Sequence, residues 1–147
     1  MELAEGIHGR SASSTSVRIL AAAGAVGTAV GAGVVAYFDP SKSTFIPVCP
    51  LLRLTGFACP GCGLTRGFHA LFHGDIIPAI DFNLLVPLWA VVFGWIFISL
   101  ILLAIRGRGL PSAWLTRPAV LTSLLGVLIV FGMLRNIPAW PFTILFP

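Results

Sequence analysis

The sequence predicts an all-α membrane protein: three transmembrane helices, one or two short interfacial helices, and an irregular loop that carries cysteines. Three observations lead there. Of 147 residues, 57% are hydrophobic and only 10% charged, with a mean hydropathy of +0.99. Soluble domains carry about 25% charge, so this chain has too little to cover a water-facing surface of its size, whereas lipid as solvent accounts for both figures. The long apolar runs are uncharged and end in single arginines, as helix ends at a membrane surface do. The remaining polar and sulfur-bearing residues gather in a few short stretches.

In chain order, residues 1–16 (MELAEGIHGRSASSTS) lack hydrophobic periodicity and read as a disordered tail. The first transmembrane helix is placed at 17–38, where Arg18 opens the run ILAAAGAVGTAVGAGVVAYF. Ala23, Gly27 and Gly31 recur at four-residue spacing and make a small-residue face, which lets helix backbones approach closely in lipid. A rival reading is a secretory signal peptide, with Arg10 and Arg18 before the apolar core and Ala36 at the cleavage site. The run exceeds the 7–15 or so apolar residues of such a core, which favours an uncleaved span.

Residues 39–147 form the remaining unit, a cysteine-loop membrane domain. Asp39 and Pro40 stop the first helix, and Pro40, Pro47, Pro50 and Pro60 leave the segment to Gly63 irregular. Interfacial helices are expected at about 64–82. Leu64, Phe68, Leu71 and Phe72 share one face, and Arg66, His69 and His73 lie on another. Gly74 is a natural stop, and Asp75 can cap the turn that follows. Asn83 can cap the second transmembrane helix, at about 84–105, with Pro87 tolerated in its first turn and Arg106 and Arg108 at its end. Pro118 opens the third, at about 118–135, which Arg135 and Asn136 close. The tail IPAWPFTILFP is too rich in proline for a continuous helix, and Trp140 suits an interface.

The chain's net charge is +4, from nine Lys+Arg against five Asp+Glu. The basic residues form no stripe interleaved with aromatics, which argues against nucleic acid. With the N-terminus inside, Arg10, Arg18, Arg106, Arg108 and Arg117 share one side in short stretches. Lys42, Arg53, Arg66 and Arg135 spread over longer ones on the other. The expected location is therefore a cell membrane, multi-pass, with the N-terminus cytoplasmic and the cysteine loop extracytoplasmic.

All three cysteines, Cys49, Cys59 and Cys62, fall in VCPLLRLTGFACPGCGLTR. Three chemistries fit them. In one, Cys49, Cys59 and Cys62 hold a metal, with His69 or His73 as fourth ligand, a Cys₃His set typical of structural zinc. In another, Cys59 and Cys62 are a redox pair, with Cys62 placed before a helix start that favours thiolate. In the third, a disulfide from Cys49 to Cys59 or Cys62 ties the loop down. A second constellation is polar. Arg66, Arg135 and Asn136 lie near membrane depth, where charges are costly and seek partners, and Arg66 or Arg135 is expected to pair with Asp75. The alternative is snorkelling to headgroups. The chain contains no Ser-His-Asp candidate set, phosphate-cradling loop or H-E-x-x-H, so no catalytic residues are assigned beyond the thiols.

At Cys49-Pro50, Thr55-Gly56, Cys59-Pro60-Gly61-Cys62-Gly63, Thr65-Arg66, Gly74-Asp75, Asn83 and Arg135-Asn136 the sequence resembles a family of small bacterial membrane proteins. That family is catalogued as a domain of unknown function, number twenty-seven fifty-two. The resemblance runs from about residue 45 to 137. The proline that commonly follows the family's asparagine is absent, Leu84 standing there. The resemblance implies that these residues act together in a membrane-embedded unit and implies no activity. The leading expectation is a binding or structural module whose loop is clamped by a metal or a disulfide. Its partners would be the lipid bilayer and another membrane protein, or a second copy through the first helix. A thiol–disulfide oxidoreductase subunit is the alternative. A transporter or channel fits poorly, because three helices make a narrow bundle without paired broken spans.

Overall fold

The computed structural model describes residues 14–41 and 49–145. Residues 1–13, on which most of the expected tail falls, and residues 42–48, which include Lys42 and Pro47, lie outside the described part. Among the described residues the chain is wholly helical: α1 Thr15–Tyr37, α2 Pro50–Thr55, α3 Leu64–Phe72, α4 Ile76–Phe82, α5 Val86–Arg106 and α6 Pro118–Leu134, with a 3₁₀ turn at Phe142–Leu145.

Local chemistry sets the boundaries. Phe38 leaves α1 in extended geometry just before Asp39-Pro40. Gly63 (φ 81°), Gly74 (φ 87°) and Gly107 (φ 68°) adopt the left-handed conformation that glycine enters without Cβ strain, beside the start of α3 and past the ends of α3 and α5. Pro118 sits in the first turn of α6, where its missing N–H costs nothing. Asp75 precedes α4, but its side chain makes no cap bond there, contrary to expectation.

The segment expected to be irregular contains α2. Pro50 begins it and Gly56 (φ 76°) ends it, a proline-in, glycine-out pattern for a single short helix. The first span begins at Thr15 rather than residue 17, and the second at Val86 rather than 84.

α1 and α5 are long and apolar enough to cross a membrane, at 23 and 21 residues with mean hydropathies of 2.0 and 2.7. Only 6% and 0% of their apolar windows are buried within the fold, unlike the core helices of a water-soluble protein. The expectation of three such helices is corrected here. α6 has 17 residues, a length of ~26 Å at 1.5 Å per residue, against a hydrocarbon core of ~30 Å.

α1 and α5 pack along each other and run antiparallel. Arg18 at the start of α1 donates from Nε to the Ala104 carbonyl (3.0 Å) and from Nη2 to that of Ile105 (2.8 Å), satisfying acceptors that the end of α5 leaves open. The contact face of α1 is small, as expected, but it is not the expected face. Ala21 and Ala25 are buried, and Gly24 meets Leu100, while Gly27 and Gly31 have no neighbour within 4 Å of a Cβ position.

α3 and α4 form a tight pair against the start of α5, around a core of Ala70, Ala79 and Val86. Leu64 and Leu71 pack on that core as the amphipathic pattern requires, whereas Phe72 is exposed. Gly67 makes the close approach possible, because a Cβ there would collide with Val86 and stand 2.9 Å from the Ala79 carbonyl oxygen. α6 has no helix–helix interface of comparable extent. Its C-terminal end is held instead by polar bonds to the cysteine loop.

Candidate metal centre

The loop between α2 and α3 carries its own turns. Cys62 N–H donates to the Cys59 carbonyl (3.0 Å) and Leu64 N–H to the Gly61 carbonyl (3.0 Å), curling C-P-G-C so that both sulfurs face one point. Cys49, at the start of α2, brings the third. The Sγ atoms of Cys49 and Cys59 are 3.4 Å apart and those of Cys59 and Cys62 3.3 Å, and all three lie within 4.8 Å of one another.

All three cysteines are free thiols. The disulfide clamp is therefore not what the structure holds, since a disulfide needs ~2.05 Å between sulfurs. Cys62 is buried and the other two are half-buried. The Leu52 backbone N–H, in the first turn of α2, is the main influence holding the Cys49 thiol down, to about 7; burial opposes it, and the Cys59 and Cys62 thiols add to it. Burial first, and then the Cys59 thiol, push Cys62 up to about 12. One sulfur of the set is thus readily ionised and another strongly resists it.

Three polar side chains from later in the chain fasten this loop. Arg135, 1% exposed, donates from Nη1 to the carbonyl oxygens of Cys59 (3.1 Å) and Cys62 (3.0 Å), and lies 5.1 Å above the Phe131 ring. Its Nε and Nη2 are buried without a protein hydrogen-bond acceptor. Asn83, 2% exposed, donates to the carbonyls of Pro60 (2.8 Å) and Cys62 (3.0 Å), and its Oδ1 accepts the Leu85 N–H. It therefore ties the loop to the entry of α5, but it is not the cap expected there: the N-cap is Leu85, and α5 has no side-chain cap bond. Asn136 accepts the Ala58 N–H (2.8 Å) and donates to the carbonyls of Ala58 and Gly132. The backbone amides and carbonyls of an irregular loop need partners when water is excluded, and these three residues supply them.

Two expected site residues lie elsewhere. His69 does not join the cysteines: its Nδ1 meets the Val35 carbonyl at 2.8 Å, near the end of α1. Asp75 is not the partner of Arg135, which bonds backbone carbonyls instead. Arg66 and Asp75 line a common cavity with His69 and His73, without an ion pair among the described residues. On the other side, an apolar cleft of about 720 Å³ opens beside Cys59, between α2 and α6, lined by Leu51, Phe57, Leu128 and Met133 among others.

The chain is thus a helical protein with a convergent three-cysteine loop pinned by residues from three later positions. Residues 49–97, one third of the chain, match the model of a family described as "Protein of unknown function (DUF2752)", the family that the cysteine, Gly-Asp and asparagine motifs resemble. Arg135 and Asn136 lie beyond the matched segment. The comparisons with curated proteins and with solved structures gave no match.

Proposed function

We propose that this is a multi-pass membrane protein in which Cys49, Cys59 and Cys62 hold one thiophilic divalent ion, zinc first among them, as a clamp on a surface that binds another membrane protein. The observation that carries the reading is the convergence of three free sulfurs from two separate turns. Zinc–sulfur bonds of about 2.3 Å at tetrahedral angles put sulfurs ~3.8 Å apart. The spacings of 3.3 and 3.4 Å approach that value and need to open by only a few tenths of an ångström.

Charge supports a divalent ion. Three thiolates and a 2+ ion leave one negative charge, and Arg135 supplies one positive charge at the carbonyls of two of the ligands. Burying a cation requires an opposite charge nearby, and a metal–thiolate cluster provides it. With three protein ligands, the fourth coordination position falls to water or to a group brought by a partner.

The membrane part of the proposal rests on α1 and α5. The antiparallel α1–α5 pair sets Arg18 and Arg106 at one end, and the attachment of Arg135 sets the end of α6 beside the cysteine loop at the other. In the proposed orientation the arginine-rich end is cytoplasmic and the loop extracytoplasmic. The exposed Gly27–Gly31 side of α1 is the surface offered for self-association.

Metal analysis and thiol counting on one detergent-purified sample test the clamp. The expected result is one ion per chain and three thiols that become reactive only after chelation. A metal-free sample with a single reactive thiol would replace the clamp with a disulfide. A reversible two-electron couple at Cys59 and Cys62 would replace it with the oxidoreductase reading.

A further inference from the structure

We propose that His69 and His73 form a second metal site, for a borderline divalent cation such as zinc, nickel or copper(II), at the C-terminal end of α1. The two residues are four apart on α3, the spacing that stacks side chains on one helix face and that places two imidazoles on one ion in helical metal sites. Their ring centroids are 4.4 Å apart.

Their hydrogen bonds fix which nitrogens are free. His69 Nδ1 donates to the Val35 carbonyl and His73 Nδ1 to the His69 carbonyl, both at 2.8 Å. A carbonyl oxygen only accepts, so each Nδ1 carries the proton, and in the neutral ring each Nε2 keeps its lone pair. Metal-bound histidines are oriented in this way, with the second nitrogen donating to a carbonyl or carboxylate. The same arrangement disfavours an anion, because two neutral Nε2 atoms offer it no proton.

The surroundings favour positive charge on balance. The histidines line a cavity of about 300 Å³ that also meets Asp39, Asp75 and Arg66. Asp75 and Arg66 there offset one another in charge. The end of the 23-residue α1 opens there too, with Val35 among its last carbonyls, and a helix C-terminus carries partial negative charge. Arg66 opposes a cation, so the site binds more weakly than the thiolate triad. Imidazole ligands also rank the ions differently from thiolates, nickel and copper(II) gaining relative to softer metals. Water fills the positions the two imidazoles leave.

The test uses the full-length chain in detergent, with Ni²⁺ as probe and with the reactivity of each histidine toward diethyl pyrocarbonate read by mass spectrometry. The readout is specific to the residue, so it stands whether or not the cysteines hold metal, and thiol reactivity in the same sample reports on the triad separately. Ni²⁺ is expected to protect His69 and His73 together. His73→Gln, which removes a ring bonded only to its own helix, should weaken protection of His69 at least tenfold with the helical circular dichroism unchanged. His69→Gln should do the same to His73. Arg66→Gln should leave protection equal or stronger. Unprotected histidines at millimolar Ni²⁺, or protection of one that survives loss of the other, would overturn the proposal. So would protection by inorganic phosphate that Arg66→Gln abolishes, which would make the cavity an anion site.

Discussion

Arg135 and Cys62 are 73 positions apart, yet the guanidinium of one donates to the carbonyl oxygen of the other at 3.0 Å, and both residues are buried. This bond and its companion to Cys59 join the last long helix to the loop that gathers the sulfurs. Arg135→Met removes both charged donors, while the Cys59 carbonyl keeps the Cys62 N–H and the Cys62 carbonyl keeps Asn83. Loss of about 3 kcal/mol is expected from bonds of this type, together with metal affinity lower by about 10- to 100-fold. Thermal unfolding in detergent and competition with a chelator measure the two effects. Arg135→Lys should fall between wild type and Met, since it keeps the charge but not the fork.

Asn136 makes three bonds and is the other attachment of α6. Asn136→Ala should destabilise the fold by about 2 kcal/mol. Hydrogen exchange at the Ala58 amide, which now donates to Asn136 Oδ1, should accelerate well beyond exchange in the α1–α5 pair. Equal acceleration throughout would mean that α6 is not separately attached.

Gly67 and Gly27 should respond oppositely to alanine. At Gly67 a methyl group would meet the Val86 side chain and the Ala79 backbone oxygen, so the α3–α4 pair must move apart at a cost of about 1–3 kcal/mol. At Gly27 nothing lies within 4 Å, and alanine should be neutral or stabilising, by about 1 kcal/mol at most. Melting temperatures of the two variants check the contrast.

The thiols should separate by pH in metal-stripped protein. Cys49, held at about 7, should be alkylated first by iodoacetamide, its rate dropping about tenfold from pH 8 to pH 6. Cys62, pushed up to about 12, should stay unreactive through pH 9. The effects on stability have opposite signs. Cys49 is depressed below its unfolded value of 9.0, so its contribution is complete above pH 9 and is lost as pH falls through 7. Cys62 is raised, so its contribution is complete below pH 9 and is lost as pH rises toward 12. Their sum favours the folded state most near pH 9, which a series of thermal melts can locate.

The helices were legible because lipid-facing and amphipathic patterns are local. The runs ending at Tyr37 and Arg106, the Leu64–Phe72 face and the stop at Gly74 follow from spacing, glycine and charge. α2 was hidden because Pro50 reads as a breaker until Gly56 is seen to close one short turn of helix behind it. The polar cluster was legible as a set but not as pairs. Composition shows that Arg135 needs a partner; only the fold shows that the partner is a row of loop carbonyls and not Asp75. His69 was misassigned for a related reason: its competitor, the Val35 carbonyl, belongs to a helix 34 positions earlier. The backbone acceptors at helix ends and in loops carry no signature in the side-chain alphabet.

The order in which the chain is made bears on the loop. The cysteines leave the ribosome some seventy residues ahead of Arg135 and Asn136. Until those two arrive, the turn at Cys59 lacks two of the three side chains that fasten it. The loop can therefore take its final form only after the chain has been made as far as Asn136.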